Sequence, residues 1–297
     1  MAGGGDESVL RNTDRVPRTR PYVAVVAAWL AALAVLPGCG PGDAGPHPST
    51  AVTRAIRGTD FGAVRWYDAM SASTVTLHRN TATRPPDTAA PTGTTWRTVG
   101  RPRYVDVDGD GDEDAAVHLH GAGGQMFTHA WYIWLWRDGR AVQLRRPIAS
   151  TSRCDGPIES VSVAPHGFEV RMKIPAVNDT CAEGGSVPVR YVAGVRDGWP
   201  VRIRPAYGPV ETCDPDRLTE RMPVDGPVQL RTADDRRSPP IGTPTRYGDV
   251  LVSELDVSPE LTPEERGSWV LVLAGHGTHR RCGWAAIDQV FPWLVPD

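Results

Sequence analysis

Residues 106–114 read DVDGDGDED, six carboxylates in nine positions, and run straight into the apolar residues Ala115, Ala116 and Val117. Two unit charges about 4 Å apart repel by roughly 1 kcal/mol in water, and by more where water is scarce. A fully solvated acidic turn tolerates that cost, but here a strand-like run follows at once. A hard cation removes the cost. Ca2+ takes six to eight oxygen ligands at about 2.3–2.6 Å, which a looped chain with clustered carboxylates can supply. Counted from Asp106, aspartates stand at positions 1, 3, 5 and 9. Gly111, at position 6, permits a sharp turn, and Asp112 offers a carbonyl at position 7. The candidate metal residues are therefore Asp106, Asp108, Asp110, Asp112 and Asp114, and Ca2+ is the expected ion. The alternative is a solvated turn that binds nothing tightly.

The spacing D-x-D-G-D-G-x-x-D resembles the calcium loop of FG-GAP and VCBS-type β repeats, including the apolar strand that follows it. It differs from an EF-hand, because position 12 is Val117 rather than Glu and no helical pattern flanks the loop. The order of segments also resembles exported bacterial proteins of unknown function. A TVTL strand at 74–77, the acidic loop, an apolar strand, a Gly-rich turn at 121–124 and a hairpin over 132–144 occur in that order, within roughly residues 55–205. The resemblance implies a calcium-stabilised envelope domain and names no reaction.

Other residues with chemistry in them carry weaker signals. His118 and His120 share one face of the strand after the loop, at a spacing a metal site can use. Val117 and Leu119 take the other face, so the histidines are expected to face solvent rather than hold zinc. His276 and His279 fall in an expected hairpin turn. Trp134 and Trp136 share a face, and core is the expected role rather than a carbohydrate-stacking platform. Of 32 basic residues only Lys173 is a lysine, so neither a P-loop nor a Ser-x-x-Lys nucleophile can be assembled. G-x-S-x-G, H-E-x-x-H and G-x-G-x-x-G are also absent. The net charge of −3 gives no basic footprint for nucleic acid.

The N-terminal region reads as an address. Arg11, Arg15, Arg18 and Arg20 precede a 15-residue apolar run over 22–36, which ends in Leu36-Pro37-Gly38-Cys39. That is the pattern of a secretion signal, shorter than the roughly 20 residues that span a bilayer comfortably. The ending resembles a bacterial lipobox, with Leu36, Gly38 and Cys39 in place and Pro37 departing from the usual Ala or Ser. This resemblance implies cleavage before Cys39, lipid on its thiol, and attachment to the extracytoplasmic face of the cell membrane. A single N-terminal transmembrane anchor and simple secretion are the alternatives. Residues 1–38 are thus read as the signal peptide and residues 39–54, rich in Gly and Pro, as a flexible tether.

Four further cysteines, Cys154, Cys181, Cys213 and Cys282, suit disulfides in an exported chain, with three possible connectivities. Strands at 159–163 and 168–174, joined at 165–167, place Cys154 and Cys181 roughly opposite each other. Cys213 with Cys282 follows by elimination. No C-x-x-C spacing supports zinc.

The 31 Gly and 28 Pro suit many short strands joined by turns. Asp-Gly pairs at 138–139 and 197–198, each between alternating apolar runs, are strong hairpin signals. The expected fold is mainly β, an antiparallel meander forming a sandwich or a partly open barrel. Residues 55–208 are read as the calcium-loop domain. Residues 209–297 are read as a smaller β-rich unit or an extension of the first sheet, with helical turns over 258–265. The function expected is non-catalytic, binding an envelope ligand or protein or supporting the cell surface. The alternative is an extracytoplasmic hydrolase acting on cell-wall polymer or peptide.

Overall fold

Runs rich in Val, Thr, Tyr and Trp, punctuated by Gly, Pro and Asp-Gly pairs, pair as antiparallel strands. The computed structural model describes residues 53–86, 92–124, 126–254 and 268–292. The expected signal peptide, Cys39, all but the last two residues of the tether and the turns expected at 258–265 lie outside these.

After two short 3-10 turns, β1 (Arg65–Asp68) and β2 (Ser73–Thr76) form a hairpin. There follow β3 (Ala82–Arg84), β4 (Thr94–Val105), β5 (Asp114–Gly123), β6 (Met126–Arg137), β7 (Arg140–Gln143) and β8 (Ala149–Ser152). β3 to β7 pair in chain order, and β8 pairs with the half of β6 that β7 leaves free. β9 (Ile158–Ala164), β10 (Gly167–Ile174), β11 (Val187–Arg196) and β12 (Trp199–Arg204) make a four-stranded meander. Next come β13 (Glu220–Pro223), β14 (Pro227–Val228), β15 (Thr245–Arg246), β16 (Asp249–Val252), β17 (Trp269–Ala274) and β18 (Arg281–Ala286), then a one-turn helix, α1 (Ile287–Val290). β13, β16, β17 and β18 form a separate sheet rather than an extension of the first.

Both expected Asp-Gly hairpins form. Asp138 and Gly139 have φ of 50° and 74°, Asp197 and Gly198 of 51° and 78°, as a twisted two-residue hairpin requires. β4 runs through Gly100 and Pro102 because its pairing with β5 shifts register between Val99 and Arg103. An irregularity there spares the ladder the N–H that proline lacks.

β5 and β6 are covered on both faces. One face contributes Ala116, Trp131, Ile133 and Leu135 to a core shared with Val161, Phe168, Val170 and Tyr191 of the β9–β12 sheet. The other contributes Val117, Leu119, Tyr132 and Trp134, packed with Trp96 and with Ile56, Phe61 and Trp66 of the preceding segment. A third cluster belongs to the C-terminal sheet, around Val250, Val272 and Phe291.

Residues 50–297 form one compact unit. Cys154 pairs with Cys181 and Cys213 with Cys282, with Cα separations of 4.3 and 5.6 Å. The first pairing follows from the β9–β10 hairpin, which sets the two flanks side by side.

Candidate metal centre

The acidic stretch forms the loop between β4 and β5, closed by the pair Val105 and Asp114. Asp114 is fully buried at the start of β5. Its Oδ2 accepts the Val107 N–H at 3.0 Å and its Oδ1 the Trp136 N–H at 2.9 Å. One carboxylate thereby fixes the loop to the end of β6. Asp106 organises the turn itself, accepting the N–H of Gly109 at 2.7 Å and of Gly111 at 3.1 Å. Gly111 has a φ of 94°, a conformation that side chains resist, so the glycine is what lets the chain bend back here.

Asp106, Asp108 and Asp114 converge, each offering an oxygen within 4.8 Å of the others. Asp108 Oδ2 meets Arg137 Nη2 of β6 at 3.1 Å, while its Oδ1 is buried and accepts no hydrogen bond. The structure brings the carboxylates of these three together; the Asp110 carboxylate is not among them, and Asp112 is expected to contribute its carbonyl rather than its side chain. Asp110 Oδ1 accepts the Asp112 N–H at 2.8 Å, and the Asp112 side chain accepts the Thr53 hydroxyl. Thr53 also donates its N–H to the Gly111 carbonyl at 3.1 Å and accepts the Glu113 N–H at 2.9 Å. The end of the expected tether thus pairs with the back of the loop. Arg57 holds Glu113, with Nη2 2.9 Å from Oε1.

The electrostatics of the loop are those of too much negative charge in too little water. Burial pushes the Asp114 carboxyl up to about 7, partly offset by the two N–H donors and reinforced by Asp108 and Asp110. Asp110 is also raised, first by burial and then by its acidic neighbours, against the N–H of Asp112. A cation seated among the three oxygens would reverse both trends. The donor set is all oxygen, the kind that hard cations prefer.

The histidines differ from expectation. His118 and His120 are half-buried, not solvent-facing, and His129 of β6 joins them. His118 Nε2 lies 2.9 Å from His129 Nδ1, and the His118 ring stacks on Trp131 at 5.0 Å. Val117 and Leu119 occupy the opposite face, as strand alternation requires. The face the histidines occupy continues the one that packs on the β9–β12 sheet, and so is largely covered. His129 was legible only through the hairpin register, which sets it opposite His120.

Asp68, at the end of β1, was also not singled out from the sequence. It is 2% exposed and accepts from Trp96 Nε1 at 2.9 Å, Ser71 Oγ at 2.7 Å, the Met70 N–H at 3.1 Å and the Tyr132 hydroxyl at 3.3 Å. A carboxylate with four donors is a structural hub, with no lone pair left over for chemistry. Trp134 packs edge-on against Phe61 and Trp66, as core.

Compared with family models, curated proteins and solved structures, the chain matches none.

Proposed function

We propose that this protein is a calcium-stabilised β module held on the extracytoplasmic face of the cell membrane through lipid on Cys39, with a binding or structural role at the envelope rather than a catalytic one. The observation that carries the calcium reading is Asp108 Oδ1. A buried carboxylate oxygen without a donor costs about 1–3 kcal/mol or more, unless a partner arrives. It belongs to a carboxylate that clusters with those of Asp106 and Asp114. Asp106, Asp108 and Asp114 would hold the ion. Asp114, fixed by two N–H donors, and Asp106, fixed by the turn, are already oriented for it. The ion would supply positive charge at that point and lock the loop between β4 and β5. The hydrolase alternative needs an acid and a histidine aimed at one point. Among the described residues, the acidic cluster's partners are backbone amides and Arg137, and the histidine cluster has no carboxylate partner. The one acid–histidine pair there, Asp249 with exposed His276 at 3.9 Å, has its carboxylate also held by Arg221.

The test is thermal unfolding in EDTA and in Ca2+. Ligand at about a hundredfold excess over Kd stabilises by roughly 2.7 kcal/mol. Extracellular sites have Kd of order 10⁻⁴–10⁻³ M, so millimolar Ca2+ is expected to raise Tm by several degrees. Mg2+ is expected to do less. Asp108→Asn should remove the increment, and identical curves with and without Ca2+ would return the loop to a solvated turn. Membrane attachment rests on the sequence around Cys39. Cys39→Ala is expected to release the protein or leave its precursor unprocessed, and a mature N-terminus at any other residue refutes the anchor.

A further inference from the structure

Three arginines with no carboxylate partner line one cavity. The cavity, of about 520 Å³, lies where β1 meets β7, and Arg65, Arg140 and Arg145 are in its wall together with Tyr67, Trp134 and Gln143. Arg65 and Tyr67 alternate along β1 with buried Trp66 and Asp68, so strand parity turns them to the opposite face. Gln143 joins the two strands: its Oε1 accepts the Tyr67 N–H at 2.7 Å, and its Nε2 donates to the Tyr67 carbonyl at 2.8 Å. The Arg145 guanidinium lies 5.0 Å from the centre of the Tyr67 ring. Elsewhere arginines find acids: Arg57 meets Glu113, Arg137 meets Asp108 and Arg190 meets Glu169. Among the described residues, Arg65, Arg140 and Arg145 meet none, and no Asp or Glu is in this wall, although acids outnumber bases in the chain by 35 to 32. Trp134 is 3% exposed, and its Nε1 has no acceptor, an unmet donor on a residue of the same wall.

We propose that this cavity binds a compact, multiply charged anion of the phosphate class, a phosphomonoester or a pyrophosphate, on the guanidinium groups of Arg65, Arg140 and Arg145. Cations gathered without counter-charge repel each other, and an anion among them removes that cost. A guanidinium presents paired N–H groups in a planar fork, which fits two oxygens of one phosphate. A phosphomonoester carries about −1.5 to −2 charge at pH 7 and three terminal oxygens. It serves more than one fork at once, where a carboxylate has one charge and two oxygens. Small-molecule sites occupy about 300–1,000 Å³, the range this cavity falls in. The net charge of −3 works against a long polyanion and leaves a compact one. Such a site gives the proposed binding role a ligand class, and it depends on neither the calcium loop nor the lipid anchor.

The test is calorimetric titration of the protein in EDTA, which keeps calcium away from both the phosphate and the acidic loop. Pyrophosphate and glycerol phosphate should each bind at one equivalent, and more tightly than citrate or acetate. Arg65→Gln, Arg140→Gln and Arg145→Gln should each weaken binding about three- to tenfold, and the three together should abolish it. All three side chains are exposed, so these variants are expected to keep the wild-type Tm without ligand. Arg101→Gln, which removes an exposed arginine outside the cavity, should change nothing. Dihexanoyl phosphatidic acid, below its micelle concentration, separates the sources. Tighter binding than glycerol phosphate makes the ligand a lipid headgroup, and equal binding makes it a soluble or polymer-borne phosphate; either supports the site. Equal affinity of wild type and Arg145→Gln overturns it, as does no heat with any of the phosphates. Citrate or a peptide of Asp and Glu binding as tightly as pyrophosphate overturns the phosphate class. Pyrophosphate binding intact in Asp108→Asn, with the calcium increment lost, would show that the two sites stand or fall separately.

Discussion

Two aspartates of the acidic loop do opposite jobs at the residue scale, and a one-atom change separates them. Asp114 is structural first, since both of its oxygens take backbone N–H groups. An asparagine there keeps one acceptor and offers the other N–H a donor. Asp114→Asn is expected to destabilise the protein even in EDTA, by about 1–3 kcal/mol on denaturant unfolding. Asp108 accepts only from exposed Arg137 and has one empty oxygen. Asp108→Asn should therefore leave the EDTA stability nearly unchanged, or raise it by easing repulsion, and lose the calcium increment. If both variants behave alike in EDTA, this division of labour is wrong. A pH prediction belongs to His118, whose imidazole is pushed down to about 4, chiefly by burial and then by His129 and His120. Below about 6.5 the unfolded chain binds a proton that the folded chain refuses. Stability is then present in full above that pH and is lost as pH falls toward 4, with Arg97 adding to the penalty through His120 and His129. In EDTA, Tm should fall across that window, and the fall should be shallower in His118→Phe. A parallel fall in both proteins would rule out His118 as its source.

The element scale is dominated by β5 and β6, which carry one core on each face. Their length and apolar content make them the wall between the β9–β12 sheet and the N-terminal segment. Asp68 pins that segment to the wall, through Trp96 of β4 and Tyr132 of β6. Replacing it strands several buried donors at once. Asp68→Ala is expected to cost about 3 kcal/mol or more, well beyond a typical surface change. A loss below about 0.5 kcal/mol would show that water replaces the carboxylate there. The loop between β4 and β5 has its own requirement. An added Cβ at Gly111 meets no neighbour, so Gly111→Ala is penalised by its φ of 94° alone. The expected cost is about 1–2 kcal/mol of loop order, read as weaker Ca2+ binding with the core intact.

At the scale of the whole molecule, a disulfide and an ion-pair network tie the C-terminal sheet to the rest of the unit. Cys213 and Cys282 are 69 residues apart in sequence, so their bridge closes a long loop. Arg146, which follows β7, meets Glu211 at 2.7 Å and also Asp234, and its guanidinium lies 5.7 Å from the centre of the Trp284 ring. Trp284 Nε1 in turn donates to Glu211 at 3.2 Å. The pair Cys213→Ser with Cys282→Ser is expected to lower stability by roughly 2–5 kcal/mol and to expose amides of β17 and β18 to hydrogen exchange. Equal protection of those strands with and without the bridge would show that the Arg146 network alone suffices.

The sequence by itself determined whatever depends on near neighbours along the chain. Asp-Gly between alternating runs specifies its hairpin through two positive φ values, and both hairpins are where the pattern put them. The β9–β10 hairpin brings Cys154 to Cys181 by counting alone. D-x-D-G-D-G-x-x-D marked a turn dense in carboxylates, and Asp106, Asp108 and Asp114 do converge there. The tertiary structure decided which faces are covered and which side chains remain over for a ligand. Parity shows that His118 and His120 share a face, but whether water or another sheet meets that face depends on residues some 40 or more positions away. The Asp112 side chain is met by Thr53, 59 residues earlier, a partner that spacing within the loop could not show. β4 was hidden by Gly100 and Pro102, which a register shift against β5 accommodates. Local dihedral preference is written in adjacent residues. Burial and hydrogen-bond partnership are settled only when distant segments compete for the same surface.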